Sequence, residues 1–178
     1  MLKKILTILL MTVLSNVLAY SQTEVVKMYL VSAKGMGAEI GTITLKDTEY
    51  GLLITPNLKG LTPGVHGLHI HQNPSCMPAK KGTKLVPALK AGGHYDPQKT
   101  NAHLGPYNKN GHLGDLPALS VTQNGRATLA VLAPRLTLSM LSEHALMIHQ
   151  GADNYSDQPQ ALGGGGGRVA CGIIKNNN

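Results

Sequence analysis

The chain has 178 residues, 16 Lys+Arg against nine Asp+Glu, and a formal net charge of +7. At 42% hydrophobic and 14% charged it is not a disordered, solvating chain, and its length fits one domain. Six Tyr are the only aromatic residues and the basic residues are scattered, which argues against a stacking surface for nucleic acid and leaves solubility or a weak field for small anions as uses of the charge.

Residues 1–19 begin with Lys3 and Lys4, run apolar from Ile5 to Leu14 and end in Val17-Leu18-Ala19. This is the layout of a secretory signal peptide, and the apolar run is short for a membrane span. Cleavage leaves 20–178 as one domain with 14 basic and nine acidic residues, a net charge of +5 and no expected membrane attachment. Export bears on Cys76 and Cys171, the only cysteines: in an oxidising compartment a disulfide is the default. Two thiolate metal ligands are the rival reading, and no CxxC spacing supports it.

Period-2 alternation predicts strands over 25–31, 38–45, 50–55, 65–71, 118–122, 126–132, 145–149 and 168–174. Turn residues fall between them at Gly35-Met36-Gly37, Thr62-Pro63-Gly64 and Asn124-Gly125, the last a strong hairpin signal. Eight such strands predict an all-β sandwich or barrel. Two long stretches interrupt the pattern, 72–117 and 150–167, and loops of that length inside a compact domain imply function. The second ends in five glycines, 163–167, just before a cysteine and an apolar strand, so it is expected to pack close to something.

The histidines sort by parity. His69 and His71 are two apart on a predicted strand and share a face, so both imidazoles can reach one ion. His66 has the opposite parity and reads as a structural histidine, hydrogen-bonded inside the sandwich. His144 and His149 are five apart and cannot both face one site on a regular strand. In the first loop His94, His103, His112 and Asp115 are spaced H-x8-H-x8-H-x2-D among turn formers. Three imidazoles and a carboxylate make a tetrahedral zinc set, and imidazole without thiolate also suits copper. The candidates His69, His71, His94, His103, His112, His149 and Asp115 are too many for one tetrahedral site, but fit two sites of four with one ligand shared. An imidazole bridges two ions only when it has lost both ring protons, which two adjacent dications favour. Which histidine bridges stays open at this level.

These residues resemble the copper/zinc superoxide dismutases, in particular their bacterial periplasmic branch. The likeness spans roughly 24–175 and rests on His66-Gly-Leu-His69-Ile-His71, Ala91-Gly-Gly-His94-Tyr-Asp-Pro97, His103-Leu-Gly-Pro106, Gly111-His112-Leu-Gly-Asp115, Met147-Ile-His149, Asp153-Asn154-Tyr-Ser-Asp157 and Gly167-Arg168-Val-Ala-Cys171. The resemblance implies an eight-stranded antiparallel Greek-key sandwich or barrel with two long functional loops. It implies copper on His69, His71, His94 and His149, and zinc on His94, His103, His112 and Asp115, with His94 the bridge and a proton carrier. Asp153 would join a copper ligand to a zinc ligand, Cys76–Cys171 would be the family disulfide, and Arg168 would guide the anion. The implied reaction is dismutation of superoxide to dioxygen and hydrogen peroxide in the periplasm, by a monomer or a homodimer.

One departure concerns charge. Residues 150–167 contain no Lys or Arg, whereas eukaryotic relatives carry lysines there, so steering falls to Arg168 and to lysines such as Lys59, Lys80, Lys81 or Lys109. The competing readings are a periplasmic metal buffer using the same ligands, a copper-only relative, against which His103, His112 and Asp115 stand, and an adhesion sandwich, which has no use for eight histidines.

Overall fold

The computed structural model describes residues 22–175; the predicted signal peptide, 1–19, lies outside the described residues. Eleven strands are formed: β1 (Thr23–Ser32), β2 (Gly35–Thr48), β3 (Gly51–Leu58), β4 (Gly64–His66), β5 (Leu68–His71), β6 (Ala79–Lys81), β7 (Lys84–Val86), β8 (Leu119–Val121), β9 (Val131–Ala133), β10 (His144–His149) and β11 (Arg168–Ile174). Seven of them make one curled antiparallel sheet in the order β5-β10-β11-β1-β2-β3-β9, with β4-β8 and β6-β7 as separate pairs. The order needs long crossovers between β3 and β5 and between β9 and β10, which is the Greek-key barrel or sandwich the sequence leads one to expect.

Side-chain parity builds the interior. Val26 and Met28 of β1 turn inward while Val25 and Lys27 are exposed, and β3 buries Leu52, Ile54 and Leu58. These join Ile43, Leu45, Leu68, Ile70, Leu116, Leu119, Leu146 and Ile148 in one core. Branched aliphatic residues fill it, which is how a chain without Phe or Trp makes a close-packed interior. A smaller cluster of Cys76, Ala88, Ala91, Ala145, Met147 and Cys171 lies on the other face of β10 and β11. Covered on both sides, β10 is buried from Ala145 to His149 and loses its alternation.

That second face positions the functional residues. Leu68 and Ile70 of β5 enter the main core, so His69 and His71 face outward beside Met147 and Ala145, their register partners on β10. The first loop covers them. It returns to the β5 edge twice, with His94 opposite His71 and Asp115 opposite His69. Backbone bonds from Tyr95 N–H to Ile70 O (2.8 Å) and from Ile70 N–H to Gly114 O (2.9 Å) fasten both returns. The Cys76–Cys171 disulfide, Cα–Cα 5.7 Å across 95 residues of sequence, ties the start of this loop to β11.

Three local expectations change. The run 65–71 is split at Gly67 into β4 and β5, which belong to different sheets: Gly67 turns its N–H to Gly151 O and its carbonyl to His149 N–H. The run 126–132 is paired only at its ends, through the Leu58–Ala127 bridge and β9. The 72–117 loop holds a hairpin, β6-β7, whose turn includes Gly82 at φ 64°; three-residue strands leave too little alternation to be seen in sequence.

Candidate metal centre

Six histidines and two aspartates meet beneath the two loops. His69, His71, His94 and His149 form one buried group whose ligand atoms all lie within 4.8 Å of one another, and His69, His94, His103 and Asp115 form a second on the same criterion. His112 stands just outside this second group, with its Nδ1 3.3 Å from Asp115 Oδ1. The tight set thus contains His69, stacked on His94 at 3.8 Å between ring centres, where the spacing in sequence suggested His112. Around Asp115 the three loop histidines still converge: Nδ1 of His94 and of His103 approach the same Oδ1 at 2.9 and 3.0 Å.

Hydrogen bonds fix which nitrogen of each ring presents a lone pair. A carbonyl or carboxylate oxygen only accepts, so the ring nitrogen bonded to it carries the proton and the other is bare. His69 Nε2–H donates to Asp153 Oδ2 (2.8 Å), His71 Nδ1–H to Gly92 O (2.9 Å), and His149 Nδ1–H to Gly166 O (3.3 Å). The bare nitrogens of His71 and His149 lie 3.3 Å apart. Buried nitrogens without a hydrogen-bond partner are His69 Nδ1, His94 Nε2 and His103 Nδ1, the last close to Asp115 but out of line for a bond. Orphaned imidazole nitrogens are costly in an interior, and nitrogens converging from several rings are the donor set of a cation site. The residues fit copper and zinc on chemistry alone, being all imidazole on one side and imidazole with a carboxylate on the other.

Electrostatics divide the two groups. Burial, with His94 next, pushes His69 down to about 3, and the same two causes hold His149 at about 4 and His71 well below the ordinary imidazole value. At His103 burial also opposes the charged ring, but the carboxylates of Asp115 and Asp153 beside its two nitrogens outweigh it and raise the group to about 9. Burial acts to raise Asp115, yet His103, His112 and His94 hold it far below the carboxylate range.

The second loop locks the first. The Asp153 side chain is fully buried and accepts from His69 on one oxygen and from His103 Nε2–H on the other, both at 2.8 Å. Asp157 accepts His103 N–H at 2.9 Å, and Tyr155 OH accepts Ala118 N–H at 2.9 Å. The glycine run is what lets this loop approach: a Cβ at Gly163, where φ is 71°, would strike the Asp153 carboxylate and stand 2.8 Å from His103 Nε2. Arg168, half-buried beside this site, donates Nη1–H to Ala88 O (2.5 Å) and Nη2–H to Gly92 O (2.6 Å).

The remaining histidines are elsewhere. His66 lies in the interior with its ring nitrogens 2.7 Å from the carbonyls of His149 and Thr62. His144 bonds Gln72 O and packs on Tyr95, away from both groups. Sequence reasoning missed the carbonyls of Gly92 and Gly166 and the roles of Tyr155 and Asp157; of these only Asp157, among the few charges of its loop, carried a sequence signal.

A β-barrel whose outer wall carries two abutting histidine groups, with His69 and His94 common to both, has the donor set of a metalloprotein with two neighbouring cation sites. Comparison with known proteins defines it further. The copper/zinc superoxide dismutase family matches residues 39–174, and the chain belongs to that family. It is 57% identical over 154 residues to a copper-zinc superoxide dismutase of Salmonella typhimurium, covering 86% of this chain and 87% of the relative. The Photobacterium leiognathi enzyme is 54% identical over 139 residues, 78% of this chain and 80% of that one. Among solved structures, the Brucella abortus copper/zinc superoxide dismutase superposes with a TM-score of 0.85 at 50% identity, covering 86% of this chain and 100% of that one. The monomeric copper, zinc superoxide dismutase of Salmonella enterica gives 0.78 at 56% identity, with coverage of 86% and 100%.

Proposed function

We propose that this chain dismutes superoxide to dioxygen and hydrogen peroxide in the bacterial periplasm, exported by residues 1–19 and folded as one domain over 20–178. Copper is assigned to His69, His71, His94 and His149, and zinc to His94, His103, His112 and Asp115. The observation that carries this reading is the His94 ring, which gives Nδ1 to Asp115 and leaves Nε2 buried without a partner beside the other group. When bound, copper supplies a one-electron couple and zinc, which has no redox chemistry, a fixed charge.

The protein's own residues do the rest. His94 Nε2 is the atom placed to hold a proton for the reacting oxygen, while Asp115 fixes the ring from the other side. Asp153 holds His69 and His103 in mutual register. Arg168 fixes a positive charge beside His71 and His149, and two carbonyls do not exhaust the five donors of a guanidinium. All seven ligand residues lie on one chain, so the chemistry works in a monomer or in a homodimer.

Metal analysis with a dismutation assay tests the assignment. One copper and one zinc per chain with turnover supports it; the same metals without turnover would assign a metal buffer instead. Arg168→Ala should lower kcat/KM by roughly 10-fold or more and flatten its dependence on ionic strength, the range set by electrostatic steering. Stopped-flow rates across a salt series read both, and an unchanged slope would remove Arg168 from the guiding role.

The two metals should also part at different pH. A proton competes with the metal for a ring nitrogen, and it competes harder where the metal-free group has the higher pKa. His103 at about 9 is already protonated at neutral pH, whereas His69 at about 3 and His149 at about 4 stay bare until far lower. On acidification from pH 8 zinc is therefore expected to leave first, with copper held until below about pH 5. Dialysis against buffers of stepped pH with metal analysis checks the order; copper leaving first would contradict it.

A further inference from the structure

Arg135 lies outside both metal groups, yet it is the most heavily engaged side chain of the first loop's surroundings. Its guanidinium donates Nε–H to Pro106 O at 2.9 Å, Nη1–H to Asn108 O at 2.5 Å and to Gly111 O at 3.2 Å, and Nη2–H to His112 O. Four carbonyls from one seven-residue stretch converge on one planar cation. His112 N–H in turn bonds Ala102 O at 2.9 Å, so 102–112 closes into a ring with the guanidinium in its mouth.

The base of this side chain is rigid. Arg135 follows β9, whose Ala133 pairs with Leu52 of β3, and precedes Leu136, which is buried in the main core. Leu136 N–H bonds Ala133 O, and Pro134 packs so closely on Gly51 that a Cβ there would lie 2.5 Å from it. The stem therefore starts from the barrel wall, and the head reaches into the loop.

We infer that Arg135 is a positioning residue for the zinc side of the site, setting the place of His112 against Asp115 by clamping the carbonyls of Pro106, Asn108, Gly111 and His112. The inference deepens the functional reading above and rests on it. His112 is the member of the expected zinc set that approaches Asp115 least closely, at 3.3 Å, and Arg135 binds both its own carbonyl and that of the residue before it. Loss of the clamp frees the segment that carries His112. The histidines read as copper ligands come from β5, β10 and the 93–95 return, which are fastened by backbone ladders that Arg135 does not touch. A lysine cannot replace it, because an ammonium is a single point of charge and lacks the planar fork that spans separated acceptors.

The test compares the wild-type chain with Arg135→Ala and Arg135→Lys. Zinc and copper dissociation constants are measured by chelator competition, and amide hydrogen exchange over 102–115 is followed on the metal-free proteins. Arg135→Ala is expected to weaken zinc by about 10- to 100-fold, the range for partners that orient a metal ligand, with copper changed less than threefold. Exchange at the His112 amide should rise, Arg135→Lys should recover little, and millimolar guanidinium ion should restore zinc affinity to Arg135→Ala. Equal losses for the two metals, or unchanged zinc affinity with unchanged exchange, would overturn the proposal. Arg135→Lys keeps the charge and the stem, and decides the matter if the alanine variant does not fold. A wild-type chain that takes up neither metal would instead remove the dismutase reading, and the exchange data would still show whether Arg135 holds the loop.

Discussion

His94→Ala is expected to abolish dismutation and to weaken both metals at once, each by more than about 100-fold, since loss of a ligand should exceed the roughly 10- to 100-fold cost of losing a residue that merely orients one. The reason is geometric. His94 is a member of both buried donor groups, is stacked on His69 and is bonded to Asp115, so its removal opens a gap in each. Asp115, one of the most tightly held carboxylates in the protein, would also lose one of its three imidazoles. His66→Ala is the matched control: it empties a buried histidine position three residues from His69 but touches no ligand atom. It should keep both metals and lose stability, at about 1–3 kcal/mol for the carbonyl that loses the single N–H of the neutral ring. Metal content by mass spectrometry under native conditions separates the two variants. If His94→Ala released only one metal, the shared-ligand assignment would be wrong.

The second large effect concerns stability. Replacing Cys76 and Cys171 together by serine removes a cross-link over 95 residues of sequence. Chain entropy puts the loss at about 4–5 kcal/mol for a loop of that size, much of the stability of an ordinary domain. The damage should reach the site as well, because Cys171 stands three residues from Arg168 and the 76–92 segment supplies the two carbonyls that Arg168 grips. Urea unfolding of the metal-free chain, with and without reductant, gives the number. A loss below about 1 kcal/mol would show that the unfolded chain is already constrained in some other way.

What could be read from sequence was whatever has a period or a spacing. The parity of His69 and His71 placed both on one face, and β5 puts them on the outer face with Leu68 and Ile70 turned inward. His94, His103, His112 and Asp115 stood out because three histidines and an acid in a turn-rich stretch have little other use. The break at Gly67 was hidden because a single residue that changes sheets leaves the alternation intact on both sides. Arg135 was hidden for a deeper reason. Its partners are carbonyls, which every residue carries, so nothing in 106–112 announces that a guanidinium is needed there. The same holds for Gly92 and Gly166, whose carbonyls decide which nitrogen of His71 and His149 is bare. The glycine run was legible as a need for closeness, but the object of that closeness, the Asp153 carboxylate against Gly163, exists only once the loop has folded back.

In the sheet, β1 lies between β2 and β11, so the first strand of the domain is paired with its last. Such a wall closes only after nearly the whole chain is available, and topologies dominated by distant pairings fold slowly. Until β11 is in place, the β5-β10 pair that carries His69, His71 and His149 has no sheet link to β1, β2, β3 and β9. β11 therefore joins the two parts of the sheet, β5-β10 and β1-β2-β3-β9, and carries both Arg168 and Cys171. Closing the seam and bringing Cys171 to Cys76 are thus one event, because the strand that completes the wall also carries the second cysteine.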